Sequence, residues 1–111
     1  MSEVVVVGSF VARDGKEDPA RAAFAALVAP THAEDGCILY ALHQGQDDAR
    51  KLAFVERWAS RDELDRHLES DHVKGVLAKA DDLFADSDIT VYEPVPGGEE
   101  RKGSLAAHAG G

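Results

Sequence analysis

The chain has 111 residues, 44% apolar and 30% charged, which is enough for one domain with a core of its own and no disulfide or metal staple. Its formal charge of −9 excludes nucleic acid and anionic membrane surfaces as partners, since both call for clustered Lys and Arg. There is no 18-residue apolar run, no charged-then-apolar leader and only one cysteine, Cys37, so the expectation is a soluble, cytoplasmic protein without an internal disulfide.

Val4 to Ala12 has the pattern of a long strand, with Val4, Val6, Gly8 and Phe10 on one face and Val5, Val7, Ser9 and Val11 on the other. Both faces want cover. Arg13-Asp14-Gly15 makes a turn, and a helix starts at Glu17 or Asp18 with Pro19 in its first turn, where a missing N–H costs least. Ala23, Leu27 and Pro30 or Thr31 follow at helical spacing with Phe24 and Val28 beside them, and Gly36 after Glu34-Asp35 marks the end. Cys37 to Gln44 alternates as a second strand, with Ile38, Tyr40 and Leu42 against Cys37, Leu39 and Ala41. Gly45 to Arg50 is a polar loop.

The third strand places Leu52, Phe54, Glu56 and Trp58 on one face and Ala53, Val55, Arg57 and Ala59 on the other, so a carboxylate sits in an apolar row. Ser60 and Glu63 have capping-box spacing, which starts a helix at Arg61. Leu64, His67 and Leu68 share a face of it, and if the leucines point into the core, His67 does too. Ser70 or Asp71 caps a further helix whose first turn holds His72 and whose buried stripe is Val73, Val76, Leu77, Ala80 and Phe84. Asp81, Asp82, Asp86 and Asp88 lack the glycine and closing glutamate of a calcium loop and read as solvated charges. Ile89 to Val95 is the last strand, stopped by Pro94 and Pro96. From Gly97 the composition turns to Gly, Ala and charge, which divides the chain into a domain at 1–96 and, at 97–111, a mobile tail or an arm laid on a neighbour.

Strand, helix, strand, strand, two helical pieces, strand is the order of a ferredoxin-like α+β domain, with helices on one face of a four-stranded antiparallel sheet. The uncovered apolar face is expected to meet the same face of a second copy, giving an isologous homodimer.

The runs GCILYALHQ (Gly36 to Gln44), FVERW (Phe54 to Trp58) and ELDRHLESDH (Glu63 to His72) resemble the antibiotic biosynthesis monooxygenase superfamily, and within it the small quinol monooxygenase-like proteins. The likeness extends over residues 3 to 95. It implies a dimeric α/β barrel with a pocket between sheet and helices, and oxygenation by O2 of a small quinol, phenol or anthrone without metal or flavin. The family's Glu and Trp on the third strand match Glu56 and Trp58, and its helix-borne histidines match His67 and His72. Haem-degrading relatives carry their axial histidine where this chain has Leu77, so haem is not expected.

The chemistry then needs three tasks: bind a ring, remove a proton, hold the anion. Trp58, Tyr40 and Phe54 are candidates for flat apolar contact with substrate, against the plainer role of core aromatics. His72, near a helix N-terminus, is the candidate base, and His67 binds the substrate oxygen or relays the proton, against the alternative of a hydrogen-bonded core histidine. Glu56 is costly to bury unpaired and is expected to orient a histidine or to serve as a structural anchor. His67 and His72, five apart across a helix break, lack helical metal-pair spacing, so no metal is expected. Cys37 has no base placed beside it for nucleophilic catalysis, and His32, His43 and His108 are explained by surface placement. No glycine-rich phosphate loop points to a nucleotide cofactor. The rival functions are a non-catalytic small-molecule-binding dimer and a proton-transfer isomerase.

Overall fold

The computed structural model describes residues 2–105, so the end of the tail at 106–111, with His108, lies outside the described residues. The elements are β1 (Val4–Ala12), α1 (Glu17–His32), β2 (Cys37–Gln44), β3 (Lys51–Trp58), α2 (Arg61–Leu68), α3 (Asp71–Leu77), α4 (Ala80–Leu83), β4 (Phe84–Tyr92) and a single exposed turn, α5 (Glu100–Gly103). The strands pair antiparallel in the order β2-β3-β1-β4, the ferredoxin-like α+β arrangement. Among the described residues no helix is long and apolar enough to cross a membrane.

Two-residue alternation puts Val4 and Val6 of β1, Tyr40 of β2 and Leu52, Phe54, Glu56 and Trp58 of β3 on the face that the helices cover, and all of them are buried. Register sets Tyr40, Glu56, Val6 and Val91 in one row across the four strands, so the carboxylate of Glu56 stands mid-sheet under the helices. From above, α1 lays down Ala20, Phe24, Leu27 and Thr31, one buried stripe at helical spacing. Its Phe24 ring stacks on Phe84 at 4.7 Å and meets Phe10 edge-on at 4.7 Å, which closes one end of the core.

Three local expectations are corrected. Phe84 does not continue the stripe of a long helix: α3 stops at Leu77, and Phe84 opens β4 with extended backbone. Tertiary pairing outweighs helical periodicity there, because Ala12 pairs with Phe84 across a bulge and the Arg13 N–H donates to the Leu83 carbonyl at 2.8 Å. The last strand ends at Tyr92 rather than Val95, because its ladder with β1 stops at the Val5–Tyr92 pair. In β2 the register slips between Cys37 and Leu39. Cys37 thereby pairs with Trp58 and packs against the helix-side core, leaving the face of Leu39 and Ala41 that strict alternation gave it.

The turns that carry the site are held tightly. Gly36 leaves α1 at φ +85°, and a Cβ there would overlap the Glu63 side chain, so only glycine lets β2 approach α2 so closely. Ser60 caps α2 by accepting the Glu63 N–H, while the Glu63 carboxylate turns to Arg66 instead of reaching back. Ser70 caps α3 through the Val73 N–H and also donates to the His67 carbonyl at 2.6 Å, which fixes the corner between the two helices.

Candidate active site

Between the sheet and α2–α3 lies a narrow cavity of about 90 Å³. Tyr40, Phe54, Leu64 and Val73 are among its apolar wall residues, and Glu56 and His67 are its ionisable ones. Leu68 and Leu77, both largely exposed, stand at its outer edge.

At and behind this wall two hydrogen-bonded groups meet through an aromatic contact. The Trp58 indole N–H donates to Glu56 Oε1 at 2.9 Å, and the indole, 0% exposed, lies against the His67 ring at 4.6 Å between centroids. Nδ1 of His67 is 2.7 Å from Glu34 Oε2, and Nε2 of His72 is 2.9 Å from that same oxygen. Tyr40 meets His67 edge-on at 5.3 Å. With Nδ1–H of His67 given to the carboxylate, Nε2 is left as an acceptor, the form a base requires.

Burial sets the electrostatics. It pushes the Glu56 carboxyl up to about 7; the Trp58 N–H opposes this by stabilising the anion, and the charge of Glu34 adds to it. Burial likewise lowers His67, against the pull of Glu34, which favours the protonated ring. Tyr40 is raised, first by burial and then by Glu56, so its hydroxyl stays protonated. Burial and the charges of Glu34 and Glu56 push the Cys37 thiol up to about 11, which leaves it un-ionised and poorly nucleophilic at neutral pH.

Of the six residues singled out by sequence, Tyr40, Phe54, Glu56 and His67 line the cavity, whereas Trp58 and His72 stand behind its wall. Glu56 is paired with Trp58, and the carboxylate that orients the histidines is Glu34. Glu34 lies in the turn after α1, 33 residues before His67, and in the sequence it marks only a helix end. No local periodicity points to it. His32 is exposed and its Nε2 bonds the Tyr40 carbonyl at 3.0 Å; His43 is exposed on β2.

Rv0793 of Mycobacterium tuberculosis, which carries a provisional monooxygenase name, is 35% identical to this chain over 95 residues, covering 85% of this chain and 93% of its own. Its solved structure superposes with a TM-score of 0.81 at 33% identity, covering 88% of this chain and all of that one. PA3566 of Pseudomonas aeruginosa superposes with a TM-score of 0.83 at 25% identity, covering 86% and 97% of the two chains. SO0527 of Shewanella oneidensis gives 0.80 at 29% identity, covering 82% and 89%. The profile of antibiotic biosynthesis monooxygenases matches residues 3–79, which takes in the first three strands, Glu34 and both histidines. This chain belongs to the antibiotic biosynthesis monooxygenase family.

Proposed function

We propose that the protein is a cofactor-independent monooxygenase that oxidises a small electron-rich aromatic of quinol, phenol or anthrone type with O2. The observation that carries this is the pair Glu56 and His67, both ionisable, set in the wall of a cavity otherwise apolar and aromatic. A closed-shell substrate reacts with triplet oxygen only slowly, but its phenolate or enolate can first give up one electron. The protein's work is therefore to make and hold that anion. His67 Nε2 takes the proton, and Glu34 steadies the resulting imidazolium while His72 holds Glu34 from the solvent side. Glu56, kept partly protonated near neutral pH by its burial, donates a hydrogen bond to a substrate oxygen when protonated. One oxygen atom ends in a new carbonyl, and the other leaves as water with two substrate hydrogens.

The cavity is below the ~300 Å³ of common ligand pockets, so a ring enters by displacing α3. That helix buries only Val73; Ser70 and the His72–Glu34 bond anchor its first turn, so the exposed end at Leu77 is the part that gives way. Oxygen uptake with a panel of quinols, naphthols and anthrones tests the proposal. Uptake by the native chain is expected to fall about 100-fold or more in His67→Asn, in line with loss of a general base. Tight ligand binding without uptake points to the sequestering protein, and turnover without oxygen to the isomerase.

The homodimer belongs to the same proposal. The face away from the helices carries half-exposed Val5, Val7, Leu39, Ala41 and Val55. Arg57 lies among them, its side chain 5% exposed and paired with Glu3, so its charge is already met and does not oppose burial against a second copy. Light scattering is expected to give twice the 11.9 kDa chain mass, and Val55→Glu to halve it without loss of helical content. A native monomer ends the barrel.

A further inference from the structure

We propose that Glu34, His67 and His72 form a binding site for a first-row divalent cation of the zinc type. The donors come from three separate elements: the turn after α1, the last turn of α2 and the first turn of α3. Their ligand atoms nonetheless all lie within 4.8 Å of one another. The two imidazole nitrogens stand 2.7 and 2.9 Å from one carboxylate oxygen. Around a cation with donor bonds of about 2.0–2.1 Å, neighbouring donors are roughly 2.9–3.4 Å apart. A slight withdrawal of the Glu34 carboxylate, whose side chain is 19% exposed, and closure of the two imidazoles toward each other bring all three donors to that spacing.

Two imidazoles and one carboxylate suit zinc, cobalt, nickel or iron, whereas calcium and magnesium prefer all-oxygen shells. Three protein ligands leave a position for water, and the 25% exposure of His72 opens that side to solvent. Among the described residues the only ion-pair partners of Glu34 are these two histidines, so no Lys or Arg competes for it. The Ser70 hydroxyl, bonded to both the His67 carbonyl and the Val73 N–H, sets the α2–α3 corner and thus the spacing of the imidazoles. A cation on Nδ1 of His67 forces the ring proton onto Nε2, which turns the acceptor facing catalysis into a donor. That consequence, unlike the site itself, rests on the function proposed above: bound metal holds the oxygenase off.

The test uses the tag-free full chain, stripped with chelator and titrated without any substrate, so a failed turnover assay does not bear on it. One Zn²⁺ per chain by calorimetry and visible d–d absorption with Co²⁺ are expected. The melting temperature is expected to rise on the order of 10 °C at a hundredfold excess over Kd. His72→Ala and Glu34→Gln, each checked for folding by circular dichroism, are expected to bind at least about 100-fold more weakly, beyond what loss of an outer partner does. His43→Ala, exposed on β2 outside the cluster, is expected to bind as the native chain does. No binding by the native chain overturns the site, as does undiminished binding in both cluster variants.

Discussion

Glu56→Gln is expected to make the protein more stable at pH 8 while leaving its oxygen uptake within a few-fold of native. Burial raises the Glu56 carboxyl from its ordinary 4.5 to about 7. Below pH 4.5 the group is neutral in folded and unfolded chains alike and has no effect on the balance. Between 4.5 and 7 the unfolded chain ionises first, so stability falls as pH rises, and above 7 the whole cost is present. At about 1.4 kcal/mol for each of the roughly 2.5 pH units between the two values, that cost is between about 3 and 4 kcal/mol. Glutamine keeps an acceptor for the Trp58 indole N–H and never ionises, so it removes the cost. The melting temperature of the variant should exceed that of the native chain by on the order of 10 °C at pH 8 and match it near pH 4.5. Oxygen uptake should stay within a few-fold of native, because the amide N–H donates to the substrate oxygen as the protonated carboxyl does. Equal melting curves at pH 8, or a loss of uptake beyond about 100-fold, would count against Glu56 as a neutral donor at the chemistry.

Glu3→Ala is expected to be the most destabilising single change on the opposite face. The Arg57 side chain is 5% exposed, and Glu3 grips it through both carboxylate oxygens. Removing one partner of a buried pair strands the other charge, a loss of about 3–5 kcal/mol, which is a large share of the stability of a domain this size. The urea midpoint should drop accordingly. Glu3→Ala combined with Arg57→Leu should recover most of the loss, since the stranded charge is gone and the face is apolar. The Arg57 guanidinium also holds the Glu3 carboxyl below its ordinary value. Its contribution is therefore complete above pH 4.5 and disappears as pH falls through the lowered value. A single variant within 1 kcal/mol of native, or a double variant no better than the single, would show that the pair is not what holds this face.

Short-range rules carried much of the architecture. Alternation in β3 put Leu52, Phe54, Glu56 and Trp58 on one face, and all four are buried. Ser60 and Ser70 capped the helices their spacing announced, and Leu64 and His67 went inward together. These features depend on residues two to four apart, and backbone periodicity is fixed at that range. The helix drawn through Phe84 failed because its aromatic ring and its backbone both found better partners in Phe24 and Ala12, which lie far away in sequence.

The amino-acid order by itself determined the ferredoxin-like succession of elements, the apolar face of the third strand and the inward turn of His67. Only tertiary structure decided which carboxylate serves the histidines. Glu56, the acid that looked suited to that task, is taken by its neighbour two residues on, Trp58, while Glu34 reaches both imidazoles from the far end of α1. The physical reason is range: a cap or an alternating strand is a contest among adjacent residues, whereas a carboxylate meets two rings on separate helices only after sheet register and helix docking have set the distances.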